Sequence, residues 1–234
     1  MELATLGRLV FGAGLLALGV QNLIVGDFFP ELQPVPGWVP AALAYATGAT
    51  LAGAAIFVMA GRHVRTAARV LVVVLGLCVV ALHAPRLAAD LRNGGAWTGA
   101  LEILAFTAAA WLLAEAPLAI AARIVFGCAF IGFGFLHFRH ADYVAYVVPA
   151  WIPAHAFWAY ATGIAHAAAG LAIASGVLAR LAATWLGVML GSWVVLLHAP
   201  RVLANPARAE WTSLFVALTM CGAAWVASRS DNRI

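Results

Sequence analysis

The residues best suited to chemistry lie in a short element that occurs twice, His83-Ala-Pro-Arg86 and His198-Ala-Pro-Arg201. Each copy follows a long apolar segment, so its ionisable side chains are expected near a membrane boundary. Arginine can donate hydrogen bonds to a carbonyl or an oxyanion, and histidine, with an ordinary pKa of about 6.5, can exchange a proton there. Ionisable residues beside hydrocarbon are costly and mark functional sites, which makes these four residues candidates for a polar pocket. A structural interpretation stays open, in which arginine snorkels to headgroups and histidine bonds a neighbouring helix.

The composition places both elements in a membrane protein. Of the 234 residues, 65% are hydrophobic and 9% are charged, whereas soluble domains carry roughly 25% charged residues. The net charge of +4 is small and scattered, which excludes a nucleic-acid-binding surface. The three cysteines lie singly in apolar runs without the spacing of a zinc cluster or a thiol redox pair, so they predict no metal site.

Apolar segments long enough to cross a bilayer, about 20 residues each, set the fold class. Eight are predicted, over residues 5–26, 41–60, 67–84, 97–114, 119–138, 154–175, 180–198 and 211–228. An even number of spans places both termini on one side. That side collects eight of the 13 arginines, and cytoplasmic loops carry an excess of arginine, so both termini are expected in the cytoplasm.

The two halves of the chain resemble each other. Arg8-Leu-Val-Phe-Gly12 returns as Arg123-Ile-Val-Phe-Gly127, and the His-Ala-Pro-Arg element returns at the same displacement of 115 residues. This pattern predicts an all-α, polytopic protein made of two four-helix transmembrane repeats, residues 1–116 and 117–234. Because each repeat crosses four times, the repeats are expected to be parallel and related by a pseudo-twofold axis along the membrane normal.

Two further ionisable residues are candidate proton carriers. Glu102 lies one to two turns into the fourth span, where it could pair with Arg86 or His83 in a salt bridge or relay protons. His166 lies deep in the sixth span, where the first repeat has Leu51. An interhelical hydrogen bond, a proton-carrying role and a metal or haem ligand are all open for His166.

Three more residues are candidate ligand contacts. His137 near the end of the fifth span belongs to a local polar cluster that the first repeat lacks, since its counterpart there is Asn22. Tyr45 and Tyr160 occupy matching positions in the two repeats and could hydrogen-bond into the pocket or anchor the helices at the interface.

The second repeat resembles the DoxX-like family of bacterial membrane proteins in diffuse glycine, proline and arginine motifs. These are Arg123-Ile-Val-Phe-Gly127, Gly132, Gly134, Val148-Pro-Ala-Trp-Ile-Pro153, Tyr160-Ala-Thr-Gly163, Gly170-Leu171 and Gly176 to Arg180. Members typically have one four-helix unit, so this chain would be a tandem version. The resemblance implies an inner-membrane protein linked to quinone-dependent oxidoreduction, as in the thiosulfate:quinone oxidoreductase subunits. His166 departs from the family, many members of which carry an acidic residue there.

The leading functional hypothesis is a bacterial inner-membrane protein that binds a quinone in a polar pocket near the outer leaflet, as the membrane subunit of an oxidoreductase with a redox partner protein. Catalytic roles fall to His83, His198, Glu102 and His166, and ligand contacts to Arg86, Arg201, Tyr45, Tyr160 and His137. A non-enzymatic scaffold or a small-solute transporter is the alternative. A third possibility is a b-type haem with His83 and His198 as axial ligands.

Overall fold

A computed structural model describes residues 2–115 and 119–229, and its regular structure is entirely helical. In chain order the helices are α1 Leu3–Val25, α2 Ala42–Ala60, α3 Val64–Cys78, α4 Ala84–Ala89, α5 Gly94–Leu113, α6 Ala119–Arg139, α7 Ala141–Val147, α8 His155–Ser175, α9 Ala179–Trp193, α10 Ala199–Ala204 and α11 Arg208–Ala227. Single π-helical turns, Val79–His83 and Val194–His198, join α3 to α4 and α9 to α10.

Within the described residues, eight helical segments are long and apolar enough to cross a membrane. The predicted all-α, eight-span fold is therefore confirmed. Most predicted ends agree with the helices to within about three residues. The third and seventh spans run further than predicted, over Val64–Ala89 and Ala179–Ala204.

Both of these spans continue past a proline, Pro85 in the third and Pro200 in the seventh. Proline lacks an N–H group and its ring crowds the carbonyl four residues earlier, so the spans predicted over 67–84 and 180–198 were expected to end before these positions. That expectation was wrong. The chain widens into a π-helical turn just before each proline, with the Ala84 N–H bonded to the Val79 carbonyl, and helix then continues for one more turn. The widened turn thus carries Arg86 and Arg201 on helix beyond the proline.

The helices of the two halves pack in the same pattern. In the first half α1 packs on α2 and α3 on α5, and in the second half α6 packs on α8 and α9 on α11. Between the halves, α1 packs on α11 just as α6 packs on α5, and α5 also contacts α11. A pseudo-twofold axis between α5 and α11 would generate these pairs. Helix α7 has no counterpart in the first half, where residues 26–41 form a loop.

Glycines set the closest helix contacts. A Cβ atom on Gly19 of α1 would lie 2.7 Å from the Gly48 carbonyl of α2. The equivalent pair in the second half is Gly134 and Gly163, where a Cβ atom on Gly134 would lie 2.8 Å from the Gly163 carbonyl oxygen. A further pair there is tighter, since a Cβ atom on either Gly127 or Gly170 would lie 2.5 Å from the carbonyl oxygen of the other. Helices in lipid associate through such close backbone approach, and any larger side chain must force them apart.

Arg8 of α1 bonds the last turn of α2. Its guanidinium donates hydrogen bonds to the Val58 and Met59 carbonyls, in the last turn of α2. Carbonyls of a last helical turn lack the usual partner four residues on, although that of Val58 also accepts from the Gly61 N–H at 3.3 Å, and the negative end of the helix dipole favours a cation there. Gly61 ends α2 in the left-handed conformation with a φ of 71°, beside the guanidinium. The recurrence of this arginine in the sequence therefore has a structural basis in the first half.

Substitution of Gly170 by alanine is expected to lower the free energy of unfolding by roughly 1–3 kcal/mol, the usual cost of overpacking. Gly53 is the matched control, because a Cβ atom there meets no atom within 4 Å. Gly53→Ala is expected to leave stability unchanged or raise it by up to about 1 kcal/mol through helix propensity. Denaturant unfolding in detergent measures both variants, and equal losses would contradict the packing role of Gly170.

Candidate functional site

The loop between α1 and α2, residues 26–41, is folded around buried polar side chains. Asn22 is fully buried at the end of α1, and its Nδ2 donates to the Asp27 carbonyl at 3.2 Å and to Gln33 Oε1 at 3.0 Å. The Phe29 N–H also donates to Gln33 Oε1. These bonds give the first part of the loop one defined shape over the end of the bundle.

Side chains of the first His-Ala-Pro-Arg element form hydrogen bonds with the backbone of this loop. His83 is 1% exposed, and its Nε2 lies 3.1 Å from the Leu32 carbonyl, to which it donates because a carbonyl only accepts. Arg86 donates to the Pro30 carbonyl at 2.9 Å. Gly99 of α5 makes room for the loop and for His83, since a Cβ atom there would collide with the Glu31 carbonyl oxygen and lie 3.2 Å from His83 Cε1. In the first half, both ionisable residues of the element therefore serve as anchors for the loop.

An anchor from the other half of the protein completes the arrangement. Arg208 at the start of α11 donates to the Phe28 carbonyl, lies 3.9 Å from the Asp27 carboxylate and stacks 4.8 Å above the Phe29 ring. This role of Arg208 could not be predicted from the sequence, because an arginine at a span boundary is explained equally well by the membrane interface. The α1–α2 loop thus depends on both halves of the chain.

Two neighbouring pockets lie beneath and beside the loop. The outer pocket has a volume of 960 Å³ and carries the polar groups of Asp27, Gln33 and Arg86 on a wall otherwise made of loop prolines and apolar side chains. The inner pocket, of 270 Å³, lies between α1, α2, α3 and α5 and is lined almost entirely by apolar side chains. Five residues line both pockets: Phe28, Gln33, Val35, Ala81 and Leu82. The two pockets therefore adjoin, the polar one at the bundle end and the apolar one within it.

The second His-Ala-Pro-Arg element has no such loop to hold. His198 Nδ1, like His83 Nδ1, is buried without a hydrogen-bond partner, but His198 bonds no loop carbonyl. Among the described residues Arg201 forms neither a hydrogen bond nor an ion pair with another side chain, although it is only partly exposed. The segment that follows α6 folds into α7 and packs on α8 instead. The two elements thus have the same four residues but lie in different surroundings.

Glu102 does not form the expected salt bridge. Arg86 and His83 use the Pro30 and Leu32 carbonyls, and within the described part of the chain Glu102 takes part in no ion pair. Its place is on α5, one turn beyond Gly99, where it is partly buried. The proton-relay hypothesis for Glu102 stays a prediction.

The remaining predicted residues fall into two groups. His137 and His166 come together, with ring centroids 4.7 Å apart between α6 and α8. Tyr45 and Tyr160 are each about half exposed; the Tyr45 hydroxyl lies against Gly26, and Tyr160 stacks on Phe138 at 6.3 Å. Neither tyrosine lines either pocket.

Comparison with known proteins agrees with this architecture. Residues 118–199 match a family model described as DoxX. The match covers α6 to the second π-helical turn, three of the four spans in the second half. No curated protein and no solved structure matches the chain.

The protein is thus a multi-pass helical membrane protein. Its second half contains a DoxX region, which confirms the resemblance predicted from the sequence.

Removal of the His83 side chain is expected to loosen the α1–α2 loop. In His83→Ala the buried Leu32 carbonyl loses its imidazole donor and keeps only the long bond from the Cys78 thiol at 3.9 Å, at a cost of roughly 1–3 kcal/mol. Hydrogen exchange measured by mass spectrometry should then rise over residues 26–34. The matched control, His198→Ala, removes a histidine that holds no loop and should leave exchange over residues 26–34 unchanged. Equal protection of the loop in both variants would show that His83 does not anchor it.

Proposed function

We propose that the protein binds a lipid-soluble quinone, with the headgroup in the outer pocket and the isoprenoid tail in the inner pocket. The observation that carries the proposal is the junction of the two pockets, one bearing polar groups and one apolar. A quinone has this same division, with two carbonyl oxygens at one end and a long hydrocarbon chain at the other. Ligand sites that fix orientation with a few polar groups on an apolar wall are the general rule.

The polar residues of the outer pocket have hydrogen-bonding capacity for such a headgroup. Arg86 uses one N–H to hold Pro30 and has others that can donate to a quinone oxygen. Gln33 accepts from Asn22 and Phe29 through Oε1, which leaves its amide N–H groups as further donors. The Asp27 carboxylate can accept a hydrogen bond from the hydroxyl of the reduced form. When bound, the quinone supplies the capacity to take up two electrons and two protons.

A route for the ligand exists on the side of the bundle. Leu43 of α2 and Leu77 of α3 both line the inner pocket, and they are 50% and 60% exposed. In a membrane-spanning bundle such exposed apolar side chains face the acyl chains. The inner pocket is therefore bounded by two helices whose outer faces meet lipid, as a site filled from the bilayer requires.

The proposal assigns distinct roles to the first His-Ala-Pro-Arg element. Arg86 contacts the headgroup, and His83 acts as a positioning residue that fixes the loop through Leu32. The other candidates, His198, Arg201, Glu102, His137, His166, Tyr45 and Tyr160, do not line these pockets. Electrons would be exchanged with a redox partner protein, which makes the chain the membrane subunit of a quinone-linked oxidoreductase. The polar contact between His83 Nε2 and Leu32 gives no support to a haem held by His83.

The arginine distribution and the DoxX match support a proposal for the location of the protein. We place the chain in a bacterial inner membrane with both termini in the cytoplasm. The α1–α2 loop and the outer pocket then face the outer leaflet. The first half, residues 1–116, would be a second DoxX-like unit beside residues 117–234, as the shared packing pattern supports.

The junction between the pockets offers a direct test. Ala81 lines both pockets, so Ala81→Trp is expected to block the passage from headgroup site to tail site. Leu196 is the matched position in the second half and lines neither pocket, which makes Leu196→Trp the control. Solvent extraction of the purified proteins should recover quinone from the wild type and from Leu196→Trp, and only background amounts from Ala81→Trp.

Two results would contradict the quinone site. Wild-type protein free of quinone that also fails to bind added decylubiquinone would favour the scaffold or transporter alternative. Undiminished quinone in a folded Ala81→Trp variant would show that the ligand binds elsewhere. Gel-filtration behaviour and unfolding of each variant in detergent establish that it is folded.

A further inference from the structure

The second His-Ala-Pro-Arg element has the same backbone as the first. His198 and His83 each end a π-helical turn, with φ of −76° and −80°. Asn205 and Asp90 follow the short helices α10 and α4, with φ of −146° and −151°, and the N–H of each is bonded to the carbonyl of the arginine in its element. An imidazole and a guanidinium thus extend from matching backbone positions in both halves.

In the first half this pair of side chains binds oxygen atoms. His83 Nε2 donates to the Leu32 carbonyl at 3.1 Å, and Arg86 donates to the Pro30 carbonyl at 2.9 Å. The two carbonyls are only two residues apart in the loop. The first element therefore holds two neighbouring oxygen atoms at once, one on the imidazole and one on the guanidinium.

No carbonyl of the chain takes these donors in the second half. Within residues 2–115 and 119–229, Arg201 has no hydrogen bond and no ion pair, and His198 Nε2 is neither buried nor hydrogen-bonded. The segment after α6 folds into α7 and packs on α8, so it does not cover the element as the α1–α2 loop does. The donors of Arg201 and His198 are therefore available to oxygen atoms from outside the chain.

The charge beside the element also differs between the halves. Asp90, one turn beyond Arg86, carries a carboxylate, whereas Asn205 at the matching position carries a neutral amide. Glu210, in the first turn of α11, forms no ion pair with Arg201 in the described part of the chain. A carboxylate would repel an anion bound to the arginine, and an amide can donate to it. The second element is thus the better suited of the two to an anionic ligand.

The element lies at the lipid-facing end of a membrane span. The span Ala179–Ala204 ends three residues after Arg201, and Val195, three residues before His198, is 65% exposed. In a membrane-spanning bundle such an apolar side chain faces acyl chains. Phospholipid headgroups lie where the hydrocarbon ends, and arginine binds phosphate through charge-assisted, bidentate hydrogen bonds. A phospholipid supplies both parts, an acyl chain beside α9 and phosphate oxygens at its end.

We propose that His198, Arg201 and Asn205 bind the phosphate group of a phospholipid at this end of the second half. The imidazole and the guanidinium donate to phosphate oxygens where the first half has two loop carbonyls. None of the three residues lines the pockets of the first half, so the site does not depend on quinone binding.

The test is binding of phosphatidylglycerol to the delipidated full-length protein in detergent, measured by native mass spectrometry. Arg201→Gln is expected to weaken the tightest binding roughly tenfold, because charge-assisted hydrogen bonds are lost. Asn205→Asp introduces the acid of the first half and should weaken binding as well. Arg139→Gln and Asn93→Asp are the controls, since they make the same charge changes on the exposed end of α6 and at the N-cap of α5. Both controls should bind phosphatidylglycerol as the wild type does.

Two competitors identify which part of the lipid is recognised, and they need only the wild type, so the test holds if a variant fails to fold. Diacylglycerol with the same acyl chains lacks the phosphate, and inorganic phosphate lacks the chains. Neither is expected to displace phosphatidylglycerol at equal concentration. Displacement by diacylglycerol would overturn the phosphate site, and displacement by inorganic phosphate would assign the site to the free ion. Equal affinity of the wild type and folded Arg201→Gln would also overturn the proposal.

Discussion

Hydrocarbon offers no hydrogen-bond partners, so pairing within the protein stabilises polar groups at membrane depth, and the α1–α2 loop is organised by this constraint. His83, Arg86, Asn22 and Arg208 all find their partners in one place, the backbone of the α1–α2 loop. Pairing holds this proline-containing segment, in which four of 16 residues lack an N–H group, as a cover over the bundle end. The cavities beneath the cover exist because the segment is held there and not folded onto α3.

The membrane itself explains how much of this architecture could be predicted from the sequence. Bilayer thickness fixes the length of an apolar segment, so the eight spans follow from hydropathy, and the duplicated motifs identify which helices correspond. The π-helical turns could not be foreseen, because Pro85 gives the same signal for a helix that stops as for one that widens and continues. The anchoring role of His83 was equally hidden. Its partner is the Leu32 carbonyl, and a backbone carbonyl has no signature in the sequence.

At the candidate site, prediction from the sequence is difficult for another reason, because identical residues have different surroundings. His83 and His198 occupy the same element in the same π-helical turn, and Nδ1 of each ring is buried without a partner, yet only His83 bonds a loop, through Nε2 and the Leu32 carbonyl. The difference originates elsewhere, in whether residues after α1 or α6 form a loop or a helix. An element that recurs in a duplicated chain therefore predicts a shared local geometry and cannot predict a shared role.

The junction between the halves gives a physical reason for joining two units in one chain. Arg208, at the start of α11, reaches the α1–α2 loop, so the cover of the first half is held by a residue of the second. At the corresponding place in the other half, α5 starts at Gly94, and His140 from the segment after α6 packs directly against that glycine. One contact is an arginine that bonds a loop, and the other is a histidine lodged in the space a glycine leaves. A dimer of identical four-helix units would have to use the same residues at both contacts. Because the two units are joined in one chain, the residues at the two contacts can differ, and so can the polar residues inside the two halves.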